Sequence, residues 1–286
     1  MALAAEPAER PSVRDEMAPV AYRVTSRTRE TEDTVTIGIV PVTESIPTPA
    51  AGQFCMLYAP RVGEVPISVS GVEASQSRLL HTIRAVGAVT KALCALDVGD
   101  VVGVRGPYGT AWGVEAAAGG DLLLVAGGIG LAPLRPVVHE VLRRRRRFRR
   151  VTLLVGARSP DEMVFRGEIA SWQASARMEV RTTVDYATAA WKGDVGVVTT
   201  LIERLTIDPE VTVAMVCGPE VMMRFAAAGV MAQGVAPQRV LASLERTMQC
   251  GIRRCGHCQL GGLFICSEGP VLPWSRVAPL LARREL

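Results

Sequence analysis

Leu122-Leu123-Leu124-Val125-Ala126-Gly127-Gly128-Ile129-Gly130-Leu131-Ala132-Pro133 decides the fold of the second half of the chain. Five consecutive apolar residues, 122–126, are what a strand buried on both faces requires, and a parallel sheet is where such strands occur. The glycines that follow break the strand, and a helix-like stretch runs from 134 to about 147. A glycine-rich turn between strand and helix lets backbone approach a phosphate closely and aims helix N-terminal amides at it. Gly127-Gly128-Ile129-Gly130 is not the G-x-G-x-x-G fingerprint, so tight packing alone stays open as its reason.

Downstream, the alternation continues. Further strands are predicted at 151–156, 178–183 and 212–217, and helices at 161–175 and 219–233. Strands alternating with helices predict an α/β doubly wound parallel sheet. Val216-Cys217-Gly218-Pro219 closes another strand of this sheet. Ligands of open α/β sheets bind beyond the carboxyl ends of strands, so Gly218 is expected to face the same crevice as Gly128.

Upstream, the pattern is different. Short β-rich runs at 21–27, 34–39, 54–58, 66–69, 79–86 and 100–104 are separated by Gly, Pro and polar breakers. Helical periodicity is confined to about 89–96. Short, evenly spaced strands with turn signals predict an antiparallel all-β barrel or sandwich. The division expected is a flexible segment 1–19, a β-barrel 20–112, an α/β domain 119–240 and a cysteine-rich loop and tail 241–286. In this plan the cysteine stretch is appended after the sheet.

That stretch is the strongest chemical signal. Cys250, Cys255, Cys258 and Cys266 read C-x4-C-x2-C-x7-C, placing four of the seven cysteines within seventeen residues. The opening matches the plant-type [2Fe-2S] ferredoxin spacing. Structural zinc prefers two short C-x2-4-C knuckles set well apart. Gly251, Gly256, Gly261 and Gly262 interleave the thiols, and glycine's access to positive φ lets amides turn toward sulfur. Zinc and disulfides remain the competing readings, and His257 a substitute ligand that four thiols make unnecessary.

Composition excludes other classes. With 286 residues, 49% hydrophobic, 21% charged and a net charge of +4, the chain is globular, not disordered or strongly nucleic-acid-binding. The longest apolar run is too short to span a bilayer. The first nineteen residues lack the basic and apolar regions of a signal peptide. Clustered thiols favour a reducing compartment, by default the cytoplasm. Seven arginines in 143–150 suit a solvated helix C-terminus, with an acidic partner or nucleic acid as the rival reading. Cys55 and Cys94 are expected in a core, and His81 and His139 have no metal partner in view.

The order of motifs from about 20 to 275 resembles the ferredoxin–NADP reductase-like superfamily. The resemblance rests on Pro66-Ile67-Ser68-Val69-Ser70, Thr82-Ile83-Arg84-Ala85-Val86-Gly87-Ala88-Val89-Thr90, Arg105-Gly106-Pro107-Tyr108-Gly109, Ala126 through Leu134, Cys217-Gly218-Pro219 and the cysteine loop. Within it, the chain is similar to the branch with a C-terminal [2Fe-2S] loop. That branch holds the gamma (diaphorase) subunits of cytoplasmic NiFe hydrogenases and sulfhydrogenases, the related electron-transfer component of anaerobic sulfite reductase, and the electron-transfer subunit of dihydroorotate dehydrogenase. Ser243-Leu244-Glu245-Arg246 followed by the cysteine motif looks most like the hydrogenase gamma type.

The resemblance implies an FAD-binding barrel, a domain for NADP(H) or NAD(H), and a cluster held by Cys250, Cys255, Cys258 and Cys266. Val65-Pro66-Ile67-Ser68 takes the place of the R-x-Y-S flavin motif, with Val65 where the family has arginine and Ile67 where it has the stacking tyrosine. Thr82, Ile83 and Arg84 are expected against the ribityl and phosphate region, Arg84 meeting the charge that Val65 does not. Gly87-Ala88-Val89-Thr90 would wrap the pyrophosphate. Gly127, Gly128, Ile129, Gly130, Pro133, Gly218 and Pro219 would hold the nucleotide. Cys217 would stand near the nicotinamide, the alternative being a small buried residue. Arg158 and Ser159 would meet a 2′-phosphate, the alternative being a solvated loop. The implied function is electron transfer between NAD(P)H, FAD and a [2Fe-2S] cluster, to or from a catalytic partner subunit, most simply a hydrogenase. Dihydroorotate dehydrogenase or sulfite reductase-type complexes, a stand-alone flavin reductase and a zinc-stabilised interaction module are the other readings. No side-chain acid or base is expected.

Overall fold

A computed structural model describes residues 16–282. The flexible segment expected over 1–19 lies largely outside the described residues.

The first domain is a closed antiparallel barrel of six strands, β1 (Val20–Arg29), β2 (Thr34–Pro41), β3 (Phe54–Ala59), β4 (Gly63–Glu73), β5 (Arg78–Arg84) and β6 (Val101–Tyr108), in the order β1-β2-β5-β4-β3-β6. Alternation in β2 shows how it closes. Val35, Ile37 and Ile39 enter the barrel core with Tyr22, Val24, Leu57 and Ile83. Residues on alternate positions of a strand share a face, so Thr34 and Thr36 turn outward. Helix α1 (Ala88–Cys94) packs Leu93 and Cys94 onto this core, and Cys55 joins them, so both isolated cysteines are core residues.

The second domain is built from β7 (Asp121–Gly127), α2 (Leu131–Arg143), β8 (Val151–Ala157), α3 (Arg166–Ala174), β9 (Glu179–Val184), β10 (Asp194–Val195), α4 (Thr199–Glu203), β11 (Thr212–Cys217), α5 (Glu220–Ala232) and β12 (Val240–Ser243). The sheet order is β10-β9-β8-β7-β11-β12, all parallel, with one further strand at the edge. The apolar run of β7 follows from its place at the centre. Leu122, Leu124 and Ala126 pack into the layer of α2 and α3, while Leu123 and Val125 pack into that of α4 and α5. Burying a leucine side chain fully is worth roughly 1.5–3 kcal/mol, so both faces must be apolar for the strand to sit there.

The sheet does not end before the cysteine loop, as the sequence predicts. After the loop, which carries the hairpin β13 (Gln259–Leu260) and β14 (Leu263–Phe264) and the short helix α6 (Ile265–Glu268), strand β15 (Val271–Pro273) pairs antiparallel with β12. The loop is thus an excursion between two strands of the sheet. Helix α7 (Trp274–Leu281) follows, and Trp274 shares a core with Phe54 and Met56 of the barrel.

The two domains are locked together. Arg135 of α2 grips Glu168 of α3 bidentately and donates to the carbonyl of Ser70 in β4 at 2.7 Å. The amide of Phe165 donates to Glu30 at 3.0 Å, and the Trp112 indole donates to the Pro133 carbonyl at 3.0 Å. The arginine run lies at the opposite edge, where the strands begin. Arg144 and Arg147 pair with Glu115, and Arg149 with Asp121 and Asp208. Arg145 and Arg150 donate to backbone carbonyls. These partners make the run a staple at the base of the sheet, as the solvated-helix-end reading expects of its position, though more heavily paired.

Candidate functional site

The parallel sheet changes winding direction between β7 and β11, so the crevice at their carboxyl ends is the topological switch point where such sheets take ligands. Ala126 and Cys217 are register partners there. The two glycine turns beyond them touch: a Cβ on Gly130 would run into the Cys217 carbonyl, and one on Gly218 would lie 3.1 Å from the Gly127 backbone. Gly128 differs. Its φ of +56° is left-handed and no atom lies within 4 Å of where a Cβ would stand, so its backbone faces open space. Ile129 is half-buried, and Pro133 lies buried in the first turn of α2, where no amide is needed. Arg158 is exposed and Ser159 half-buried at the end of β8, the neighbour of β7.

Cys217 is 4% exposed. Burial, reinforced by the nearby Glu245 carboxylate and opposed by the Ser243 hydroxyl and Gly218 amide, drives its thiol well above the ordinary range. It is a small, buried group at the end of β11, beside the crevice. A cavity of about 220 Å³ connects Gly218 and Pro219 to Leu244, Glu245 and Leu260. Burial raises the Glu245 carboxyl.

On the barrel, Val65, Pro66, Ile67 and Ser68 lie half-buried along β4, with Val65 and Ile67 leaning on the barrel core. The structure buries both Thr82 and Ile83 of the expected phosphate-facing triplet, Ile83 in the barrel core and Thr82 on the outer face of β5 beside Thr36. Thr82 is hydrogen-bonded to Thr36 and Ser70 at 2.9 Å each, and Ile83 is fully buried. Arg84 stays near the surface but binds Asp33 at 2.6 Å and approaches Glu162 at 3.8 Å, so its charge is already matched. Thr90 Oγ1 accepts the amides of Val86 and Gly87 at 3.1 and 2.9 Å, fixing the turn at the start of α1, and Gly63 at the head of β4 lies against Val89. The β4 motif and the 87–90 turn are therefore neighbours. His81 is fully buried behind Ser68, donating from Nδ1 to its carbonyl at 3.1 Å, while Nε2 has no partner among the described residues. Burial lowers it to about 4.

The cysteine loop is shaped by four left-handed residues, Gly251 (φ +75°), Arg253 (+61°), Gly256 (+81°) and, in the hairpin turn, Gly261 (+57°). The loop amides consequently turn inward. Cys250 Sγ accepts from Ile252, Arg254 and Cys255 at 3.4, 3.2 and 3.4 Å, and Cys266 Sγ from Arg253 at 3.4 Å. Cys250, Cys258 and Cys266 are buried, and Cys255 reaches the surface. The thiols stand in pairs. Desolvation opposes ionisation of Cys255, but the amides of Cys250 and His257 and the Cys250 thiol hold it below the usual thiol range. Cys266 is pushed up to about 11 by burial and by the adjoining Cys258 thiol. Tetrahedral zinc needs all four thiolates around one ion, whereas a binuclear centre takes two thiolates per iron. The donor set of this loop, two thiol pairs ringed by amides, suits the binuclear case.

Arg105 enters the sequence reading only within the 105–109 stretch of the resemblance, with no role assigned to it. It is 2% exposed, and its guanidinium ties the loop to the barrel by donating to the Cys250 and Gln249 carbonyls at 2.9 Å each and to the Glu64 carboxylate at 2.5 and 3.0 Å. The available signal was a lone arginine in a strand otherwise apolar, Val101 to Val104.

A six-stranded barrel joined to a doubly wound sheet with glycine turns at its switch point defines a nucleotide-linked oxidoreductase of the ferredoxin–NADP reductase-like class. Residues 124–228 match the family model of the oxidoreductase NAD-binding domain. The fold is shared with a solved NADH-dependent reduced ferredoxin-NADP oxidoreductase at a TM-score of 0.74 and 24% identity, over 92% of this chain and 94% of that one. The chain is 33% identical to the sulfhydrogenase 2 gamma subunit of Pyrococcus furiosus over 78% of its length and 82% of the relative's. It is 38% identical to a probable dihydroorotate dehydrogenase B electron transfer subunit of Methanothermobacter thermautotrophicus, over 79% and 78%. The chain belongs to the ferredoxin–NADP reductase-like superfamily, in the family of these sulfhydrogenase gamma and dihydroorotate dehydrogenase electron-transfer subunits. Among the described residues no helix is long and apolar enough to cross a membrane.

Proposed function

We propose that the chain is a diaphorase subunit carrying electrons between NAD(P)H, FAD and a [2Fe-2S] cluster, to or from a catalytic partner of the cytoplasmic NiFe hydrogenase type. The observation that carries this is the cysteine loop: two thiol pairs, amides directed at sulfur, and an anchor through Arg105 of β6 to Glu64 on the strand that bears the flavin motif. Cys250, Cys255, Cys258 and Cys266 would hold the cluster. Flavin, when bound, exchanges hydride with a nicotinamide and single electrons with an iron–sulfur centre, which is why the three components belong together.

The protein's own part is positioning. Backbone at Gly128 and the N-terminus of α2 receive nucleotide phosphates, and Cys217 stands neutral and small where a nicotinamide ring would need room. On the barrel, Val65–Ser68 and the 87–90 turn line the flavin site, with Ile67 supplying an aliphatic wall in place of an aromatic one. Arg158 and Ser159, at the end of β8, would meet a 2′-phosphate, and NADP(H) is the nucleotide we infer. Four thiols clustered as a ligand set suit a reducing compartment such as the cytoplasm.

A second reading, an electron-transfer subunit of a dihydroorotate dehydrogenase complex, is favoured by the relative at 38% identity. Anaerobic purification followed by metal and flavin analysis tests the common core. About two irons and about one flavin per chain are expected. Zinc without iron would overturn the electron-transfer reading. Pull-down from the native host with mass spectrometry of the co-purifying large subunit separates the two partners.

A further inference from the structure

The Arg105–Glu64 pair does more than join two segments. Arg105 is on β6 and Glu64 on β4, next to Val65 of the flavin motif. The side chain of Arg105 is 1% exposed and that of Glu64 27%. Arg105 Nη1 serves the Cys250 carbonyl and the Tyr108 hydroxyl, Nη2 serves Glu64 and the Gln249 carbonyl, and Nε serves Glu64. All five donors of the guanidinium are therefore used, and its geometry is fixed. A cation withdrawn from water acts on nearby charge through a lower effective dielectric than a surface cation does.

We infer that Arg105 and Glu64 form an electrostatic control on the cluster site, Arg105 raising and Glu64 lowering its reduction potential through the backbone of Cys250. This rests on the proposed function. Adding an electron adds negative charge, so a fixed cation bonded to the backbone of a ligand favours the reduced state and the carboxylate opposes it. Arg105 is a positioning residue, since it touches the ligand's backbone and not its thiol. The same pair fixes the distance between the loop and the flavin strand.

The test is a dithionite titration of the full-length protein, purified anaerobically and followed by EPR at controlled potential. The variants are Glu64→Gln, Arg105→Gln and the double variant. Glu64→Gln retains both arginine bonds to the loop and is expected to fold. It should raise the reduced-to-oxidised ratio at a fixed potential about tenfold, or ~59 mV for one electron. Arg105→Gln should lower it by a similar factor, and the double variant should return close to wild type. A purely structural role would move both single variants in one direction, and that result, or ratios within threefold of wild type throughout, overturns the inference. Should Arg105→Gln not fold, the sign of the Glu64→Gln shift decides alone. A wild-type protein without iron would refute the proposed function itself, a different outcome from an iron-loaded protein whose potential ignores the pair.

Discussion

Gly130 and Cys217 are in such close contact that a methyl group on the glycine would collide with the cysteine's carbonyl oxygen. The two turns at the switch point are thus one packed unit. Gly130→Ala must push β7 and β11 apart at their carboxyl ends, and overpacking of this kind costs about 1–3 kcal/mol. Gly128→Ala meets no neighbour but keeps a left-handed φ, at a cost of roughly 1–2 kcal/mol. Urea unfolding should show both losses. Calorimetric titration with NADPH should show weaker binding for both variants, with the Gly130 effect accompanied by distortion around Cys217.

His81 makes stability depend on pH in a defined window. Its folded value, about 4, lies below the ordinary histidine value of 6.5 because burial outweighs the hydrogen bonds from the ring to the Ser68 and Ile67 backbone. Below pH 6.5 the unfolded chain therefore binds a proton that the folded chain refuses, and stability falls until pH reaches about 4. The loss amounts to about 3 kcal/mol across that window. Unfolding free energies of wild type and His81→Leu between pH 7 and 4 check this. The variant's curve should be flatter there, and parallel curves would remove His81 as the cause.

Glu168 anchors the junction of the domains. Burial works against its ionisation, but His139 and Arg135 outweigh it and hold the carboxyl down to about 2. Because its folded value is depressed, its contribution is present above about pH 4.5 and lost as pH falls toward 2. Glu168→Gln removes the charge and the bidentate carboxylate from the pair, leaving Arg135 its bond to the Ser70 carbonyl and its stack on Phe165. Water reaches a third of the glutamate side chain, so the expected cost is about 1–2 kcal/mol, below that of a fully buried pair. Chemical denaturation followed by hydrogen exchange of barrel and α/β-domain peptides separately should show the two domains losing cooperativity.

Gly251 tests the loop directly. A Cβ there would lie 2.8 Å from the Tyr108 ring, and φ is +75°. Gly251→Ala should cost roughly 1–2 kcal/mol locally from the left-handed backbone alone, lower the iron content per chain and leave flavin content unchanged. Equal loss of both would contradict the separation of the two sites.

Much of this architecture was legible in the chain because it is local. The 122–130 run declares a buried strand and its turn, and the cysteine spacing declares a site. The barrel strands follow from short apolar segments with breakers. What escaped depends on partners far apart in sequence. Arg105 meets Glu64 and Cys250 across 41 and 145 residues, and no local pattern announces such a bond. Strand β15 has three residues, too few for periodicity, so the return of the chain to the sheet was hidden. Arg84 read as a free cation because its matching acids are distant in sequence, Asp33 being brought to it by the pairing of β2 with β5 and Glu162 by the packing of the two domains.

The central claim is that electrons from a nicotinamide reach the cysteine loop. The direct measurement adds NADPH, and separately NADH, to anaerobic wild-type protein and to Cys266→Ser, following the visible spectrum and EPR. The account predicts flavin bleaching in both proteins and a one-electron EPR signal in the wild type that Cys266→Ser lacks. Flavin bleaching in the wild type with iron bound but no EPR signal would contradict it.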